Sequence, residues 1–230
     1  MITNKPSGSP SVTVLICAMN EDKNLPHVLP KIPAWVDEVL LVDGHSSDNT
    51  MSVAKNILPG IKVLCQPGKG KGNAIKYGVQ NAKGEIVITL DADGSTDPED
   101  LPRFIQPLID GYDFTKGSRL TNGRPKNMPQ YRWIGNKILS ITFNILYGAR
   151  YTDICSGYNA FWKTAFSRLK LHDDGFEMEQ IMLAQARKVH LKIIEVAHYD
   201  AGRIGNESKV SGLKQGFIDW LVIIKERFNG

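Results

Sequence analysis

The chain has 230 residues, 42% of them hydrophobic and 23% charged, which excludes disordered, collagen-like and coiled-coil chains. Its 28 Lys and Arg against 24 Asp and Glu give a net charge of +4, compatible with anionic ligands but short of a nucleic-acid footprint. Three widely spaced cysteines, Cys17, Cys65 and Cys155, form no CxxC or CxxH, which argues against a disulfide framework or structural zinc and for a reducing compartment. Residues 1–10 (MITNKPSGSP) read as a loose polar leader without the apolar core of a signal peptide. Residues 12–18 (VTVLICA) form a continuous apolar run, the pattern of a strand buried on both faces. Shorter versions follow at 39–42 (VLLV) and 61–64 (IKVL), and the strongest, 86–90 (IVITL), ends directly in acidic residues. Helix-sized segments lie between and after them: 48–58, which Ser46 and Ser47 can cap and Pro59-Gly60 stops, 73–82, ended by Gly84, and 101–110, ended by Gly111. Further on come a Gly/Pro/Asn-rich basic loop (120–130), an apolar helix (134–147), a loop around Asp153, a helix (176–189) and a strand (192–196). Residues 11–212 read as one domain and 213–230 as a terminal amphipathic helix. No run approaches the 18 apolar residues a membrane span requires, so a cytoplasmic protein, at most peripheral on the membrane, is expected.

Strand, helix, strand at this spacing predicts an α/β fold with a doubly wound, mostly parallel sheet and helices on both faces. Ligands of such sheets bind beyond the carboxyl ends of the strands. The residues there are Met19-Asn20-Glu21, Asp43-Gly44-His45-Ser46 and Asp91-Ala92-Asp93, so three strands deliver acidic or amide groups to one edge.

Asp91 and Asp93, two apart after a buried strand, suit a hard divalent cation that takes oxygen ligands, although an isolated pair of this kind equally fits a solvated loop start. The segment PGKGKGNA (67–74) lacks P-loop spacing, because Asn73 stands where a hydroxyl would bind magnesium. Its glycines permit close backbone approach to a ligand, and Lys69 and Lys71 add positive charge. Arg119, Arg132, Arg203 and Lys209 recur at loop positions, and guanidinium forks match phosphate geometry. His45 and His198 have no metal-ligand spacing and read as loop or surface histidines.

Taken in order, VTVLICAMNE, EVLLVDGHSSDNT, GKGNAIKYG, GEIVITLDADGSTDPEDLP, KGSR, CSGYNAF and RIGNESK resemble the motifs of glycosyltransferase family 2, inverting nucleotide-sugar enzymes with a GT-A fold. Within it the chain is most similar to the dolichol-phosphate-mannose-synthase-like, polyprenyl-phosphate enzymes. The resemblance runs from about Val12 to Lys209. It implies a UDP- or GDP-sugar donor, a Mg²⁺ or Mn²⁺ cofactor on Asp93 with Asp91 assisting, and no nucleic-acid partner. Ala18, Glu21 and Asp43 would line the base and ribose site, with Lys71 and Ala92 nearby. Arg203 and Lys209 would close over the donor diphosphate, and Arg119 and Arg132 would hold the acceptor phosphate. Asn136 stands where the acceptor site often has Ser. Cys17, Met19 and Gly44 depart from the family pattern at base-contact positions, and Ser95 stands where related enzymes often carry Gln.

A lipid-phosphate acceptor is already anionic and needs no base, whereas a soluble hydroxyl acceptor would call on Glu179 in FEMEQ as catalytic base. A solvent-facing helix charge or a structural pair with an arginine is the alternative for Glu179, and a non-catalytic nucleotide-sugar-binding module is the alternative for the whole chain. Leu213, Phe217, Leu221, Ile224 and Phe228, spaced 4, 4, 3 and 4 apart, make an apolar stripe beside Lys214, Lys225 and Arg227. Residues 138–146 are equally greasy. Such a stripe packs on its own domain or lies in a membrane interface. A homodimer is compatible with either.

Overall fold

Four apolar runs of the N-terminal half become strands β1 (Val12–Ala18), β2 (Glu38–Asp43), β3 (Lys62–Cys65) and β4 (Ile86–Asp91) in a computed structural model that describes residues 9–126, 128–205 and 212–228. They are joined through α1 (Leu25–Val28), α2 (Thr50–Ile57) and α3 (Lys71–Asn81). The second half supplies α4 (Leu101–Ile109), β5 (Phe114–Ser118), α5 (Gln130–Tyr147), β6 (Asn159–Trp162), α6 (Lys163–Phe166), α7 (Met178–Lys188), β7 (Ile193–Ala197) and α8 (Gly212–Phe228). The seven strands form one sheet in the order β3-β2-β1-β4-β6-β5-β7. All pairings are parallel except those of β6, which runs antiparallel to both β4 and β5.

β1 is apolar except for Thr13, whose hydroxyl donates to Glu38, because helices cover both its faces. Val12, Val14 and Ile16 point one way, into a core shared with Leu25 and Val28 of α1 and Leu101, Phe104 and Leu108 of α4. Leu15 points the other way, toward Ala74, Ile75 and Val79 of α3 and Met178 and Met182 of α7. A third cluster joins Leu139 and Phe143 of α5 to Leu183 and Ala184 of α7 and Ile223 of α8. The terminal helix is therefore packed into the body, and Tyr147 Oη donates to the Ile223 carbonyl at 3.0 Å.

Several boundaries moved, each for a local reason. α3 begins at Lys71 because Gly70, at φ 91°, closes the preceding loop. α5 begins at Gln130, directly after Pro129, and stops at left-handed Gly148, so Arg132 falls in its first turn rather than in a loop. β5 and β6 have no counterpart in the sequence pattern. The first is the short run FTKGS, which buries Lys116, and the second is only four residues long.

Candidate active site

Because β2, β1 and β4 are parallel neighbours, Ala18 lies opposite Asp43 and Cys17 opposite Asp91. The expected convergence of acidic strand ends on one edge is present. Asn20 and His45 sit there in the left-handed region, at φ 56° and 65°, which Asn and His adopt more readily than most side chains. Asp43 is fully buried. Its Oδ2 accepts the Ser46 N–H at 2.9 Å, while Oδ1 has no partner among the described residues. An unsatisfied buried carboxylate oxygen is costly, so this atom is suited to accept an N–H from a ligand. The Ala18 carbonyl is taken by the Gly44 N–H at 2.8 Å. Glu21, also buried, accepts from Asn24 Nδ2 and from Arg203. Arg203 Nη1 reaches Asp93 Oδ2 at 3.3 Å. Its loop is pinned over the β4 end by Ile204 N–H to the Asp93 carbonyl (3.1 Å) and Ala201 N–H to the Ser95 carbonyl (3.0 Å).

At the β4 tip, Ala92 turns into the core and leaves Asp91 and Asp93 half-buried on the open side. Lys71 Nζ lies 2.8 Å from Asp91 Oδ1 and 2.7 Å from Glu179 Oε1. Burial alone would push the Asp91 carboxyl up, but the Lys71 ammonium overrides it and holds the group below the usual range. Burial would likewise pull Lys71 down, and the two carboxylates instead hold its proton well above the ordinary range. Asp93 Oδ1 accepts the Ser95 N–H at 3.0 Å. Among the described residues no group of three or more His, Cys, Asp and Glu is placed to hold a metal. Two hard carboxylates fit Mg²⁺ or Mn²⁺ whose other positions go to oxygen atoms of a ligand.

The Gly-Lys-Gly loop departs from expectation. Its close backbone approach is to the chain itself: the Gly72 N–H donates to the carbonyls of Asp174 and Gly175 at 2.8 and 3.1 Å, and a Cβ on Gly70 would lie 2.2 Å from the Asp174 carbonyl oxygen. Lys69 is exposed. Glu179 is neither solvent-facing nor paired with arginine; it is 5% exposed and bound to Lys71.

Further along the same edge, just past the end of β5, Arg119 grips the fully buried Asp153 through Nε–Oδ2 at 2.7 Å and Nη2–Oδ1 at 3.1 Å. Asn136 Nδ2 donates to the same carboxylate at 3.0 Å, so Asn136 braces Arg119. Arg119 also borders a cleft of about 250 Å³ with Arg103, Arg124, His198, Tyr199 and Asp200. Arg132 does not line this cleft; it is exposed, and its Nε lies 3.4 Å from where a Cβ on Gly212 would sit. His198 corrects the surface reading: it is buried edge-on against Tyr158, 2.9 Å from Ser156 Oγ, and burial pulls its pKa down. Lys209 lies outside the described residues. Asp153, Arg103, Arg124 and the buried Lys116 were missed: Asp153 and Lys116 have partners 34 and 40 residues away, and Arg103 and Arg124 reach the cleft only through the fold.

A mostly parallel sheet with a switch of strand order beside an acidic strand end is the architecture of a nucleotide-binding α/β enzyme. The model of glycosyl transferase family 2 matches residues 13–170, and the chain belongs to that family, with the GT-A fold. Glycosyltransferase AglJ of Haloferax volcanii is 30% identical over 94% of this chain and 71% of its own length. The UDP-N-acetylglucosamine–dolichyl-phosphate N-acetylglucosaminyltransferase of Methanococcus voltae is 32% identical over 80% of this chain and 83% of its own. Among solved structures, glucosyl-3-phosphoglycerate synthase of Mycobacterium tuberculosis, crystallised with Mn²⁺, UDP and glucosyl-3-phosphoglycerate, superposes with a TM-score of 0.72 at 18% identity, covering 97% of this chain and 85% of that one.

Proposed function

We propose that this glycosyltransferase moves a sugar, with inversion, from a UDP- or GDP-sugar to a polyprenyl phosphate. The observation that carries the acceptor assignment is the contrast between two places. The cleft beside Arg119 is lined by three arginines, Arg103, Arg119 and Arg124, against one acid, Asp200, whereas Glu179, the carboxylate offered as a base, is buried against Lys71. A phosphate acceptor arrives anionic and has to be aimed rather than deprotonated. Arg119, held rigid by Asp153 and Asn136, would aim it.

Asp43 would take the nucleotide base through its free Oδ1, and Glu21 would bound the ribose. Asp93 and Asp91 would hold Mg²⁺ or Mn²⁺, which when bound neutralises charge on the diphosphate. Arg203, already seated between Glu21 and Asp93, would turn toward the diphosphate as donor enters, with Lys209 assisting. An acceptor phosphate oxygen then bonds to the anomeric carbon from the face opposite the departing nucleoside diphosphate. Two kinds of relative support this reading: the Methanococcus voltae enzyme is named for a dolichyl-phosphate acceptor, and the Mycobacterium tuberculosis structure holds UDP and Mn²⁺. A second structure of the Mycobacterium tuberculosis enzyme, with Mn²⁺, UDP and phosphoglyceric acid, favours a second reading, a soluble phosphate-bearing acceptor.

On the lipid reading, the enzyme works at a membrane surface, and α5 with α8 supplies a suitable face. Ile134, Ile138, Ile141 and Ile145 recur every three or four residues along α5 and are 45%, 53%, 57% and 77% exposed. Phe217, Leu221 and Phe228 are exposed on the adjacent α8. The two helices contain five cations (Arg132, Lys137, Lys214, Lys225 and Arg227), while their two acids, Asp219 and Glu226, are buried. An exposed surface that is apolar and of one charge sign matches an anionic bilayer. No helix among the described residues is long and apolar enough to cross a membrane.

A thermal-shift panel of UDP- and GDP-sugars with Mg²⁺ or Mn²⁺ tests the donor, since a ligand that binds the native state raises the melting point. Transfer to a polyprenyl phosphate compared with phosphoglyceric acid then tests the acceptor. No shift with any nucleotide sugar rejects the donor assignment, and transfer only to phosphoglyceric acid selects the soluble reading.

A further inference from the structure

The ends of α3 and α7 meet at a point that a catalytic base does not explain. Lys71 is the first residue of α3, and its ammonium is shared between Asp91 of the β4 tip and Glu179 in the first turn of α7. The loop carrying Lys71 is fixed by the segment just before α7. The Gly72 N–H binds the Asp174 and Gly175 carbonyls, and the Asn73 N–H reaches the Asp174 carbonyl at 3.3 Å. The Asp174 carboxylate meets Lys76 Nζ at 2.8 Å and Asn73 Nδ2 at 3.3 Å. No room is left for slack. A Cβ on Gly72 would lie 2.6 Å from the Met178 methyl, and one on Gly157 would lie 2.6 Å from Lys71 Nζ.

We propose that Glu179 is a positioning residue, not a base: together with the Asp174–Gly175 turn it clamps Lys71 so that the ammonium stays on Asp91 beside the donor site. The proposal rests on the donor reading above for its consequence, though not for its geometry. A lysine carries several rotatable bonds and a mobile charge. Held by Asp91 alone, it could leave that carboxylate for another anion; held by two fixed carboxylates, it keeps one position. An acceptor hydroxyl seeking Glu179 Oε1 as a base would have to displace this ammonium. Removing Glu179 should therefore loosen the Lys71 loop and weaken nucleotide binding while leaving the chemical step largely intact.

The test has two arms. In the ligand-free protein, hydrogen exchange of the peptide spanning residues 68–75 should quicken in Glu179→Ala and return toward the parent rate in Glu179→Asp. Unchanged exchange in Glu179→Ala overturns the clamp, whether or not any donor binds. In the second arm, UDP affinity is measured calorimetrically with Mn²⁺ and again with EDTA, and UDP-sugar turnover is measured for Glu179→Gln, Lys71→Met and the double variant. Glu179→Gln should weaken UDP binding three- to tenfold and change kcat less than threefold. In the Lys71→Met background the same substitution should change UDP affinity less than twofold, because its effect passes through the missing ammonium. A hundredfold loss of kcat with unaltered donor KM would identify a base and overturn the proposal. An equal effect of Glu179→Gln with and without Lys71 would overturn it too. Failure of the parent protein to bind any nucleotide counts against the donor reading instead, and leaves the exchange result to decide the clamp.

Discussion

At the level of single residues, the site is a set of shared cations. Lys71 divides its charge between Asp91 and Glu179, Arg203 between Glu21 and Asp93, and Arg119 lies on Asp153 with Asp200 4.0 Å away. Each arrangement fixes a positive group near where phosphate oxygens would sit, and each depends on tight surroundings. Gly157 shows how tight: a methyl there would lie 2.7 Å from Asp91 Oδ2 as well as touching Lys71. Gly157→Ala should lower kcat/KM for donor at least tenfold, a loss of about 1.4 kcal/mol, with little change in melting temperature. Steady-state kinetics beside a melting curve checks this, and unchanged kinetics would show that the pair tolerates displacement. Asp153 is a different case because it is wholly buried. Burial opposes its ionisation, and Arg119, with help from Lys116, holds its carboxyl below the usual range. Its folded pKa is thus depressed, so the stability it contributes is present above pH ~4 and lost as pH falls further. Asp153→Ala strands Arg119 and should cost about 3–5 kcal/mol in urea denaturation at pH 7. A cost under 1 kcal/mol would mean the pair is solvated in solution.

Strands β1 to β4 were legible as apolar runs, β2 and β4 ending in carboxylates, and α2, α3 and α4 by the glycine or proline beyond their ends, whereas the four-residue α1 is too short to show a period. β5 was not, since Thr115, Lys116 and Ser118 make a buried strand look polar. Lys116 pays for its burial by donating to the carbonyl of Ser156 at 2.7 Å, a contact with no signature in local spacing. The same limit hid the roles of Glu179 and Asp153, whose partners are far away in the chain. By contrast the placement of Asp43, Asp91 and Asp93 together was legible, because strand ends in a parallel sheet share an edge. α8 carries an apolar stripe legible in its spacing and a polar side whose partners lie on α7. Asp219 faces α7, accepting from Gln215 Nε2 at 2.8 Å and lying 3.4 Å from Gln180 Nε2. Burial, reinforced by Glu179 and Glu177, pushes its carboxyl up to about 6 despite the Gln215 hydrogen bond. A raised folded pKa means that its favourable contribution is full below pH ~4 and disappears as pH rises through about 6. Asp219→Asn keeps the shape without the charge, so it should stabilise the protein at pH 7.5 by about 1–2 kcal/mol and have no effect near pH 4. Melting curves at the two pH values decide it; destabilisation at pH 7.5 would show that the ionised carboxylate holds α8 in place.

For the molecule as a whole, the residues proposed for donor and acceptor lie around one sheet edge, and α5 links Asp153 and Arg119 to the outer surface. The inner side of α5 carries Asn136, which braces Asp153, and its outer side carries the exposed isoleucines. A membrane docked on that side would bring lipid phosphate toward Arg119. In cosedimentation with phosphatidylglycerol-containing vesicles at low salt, the protein should pellet, and Ile138→Glu with Ile145→Glu should return it to the supernatant without lowering its melting temperature. Recovery of the parent protein in the supernatant would remove the membrane from the account. The most direct measurement is transfer of sugar from UDP- or GDP-sugar to a polyprenyl phosphate by the parent protein and by Asp93→Ala, each with Mn²⁺ and with EDTA. The account predicts inverted glycosyl-phospholipid from the parent with Mn²⁺ alone, and a loss of at least a hundredfold in Asp93→Ala. Equal rates for the two proteins, or turnover undiminished by EDTA, would contradict it.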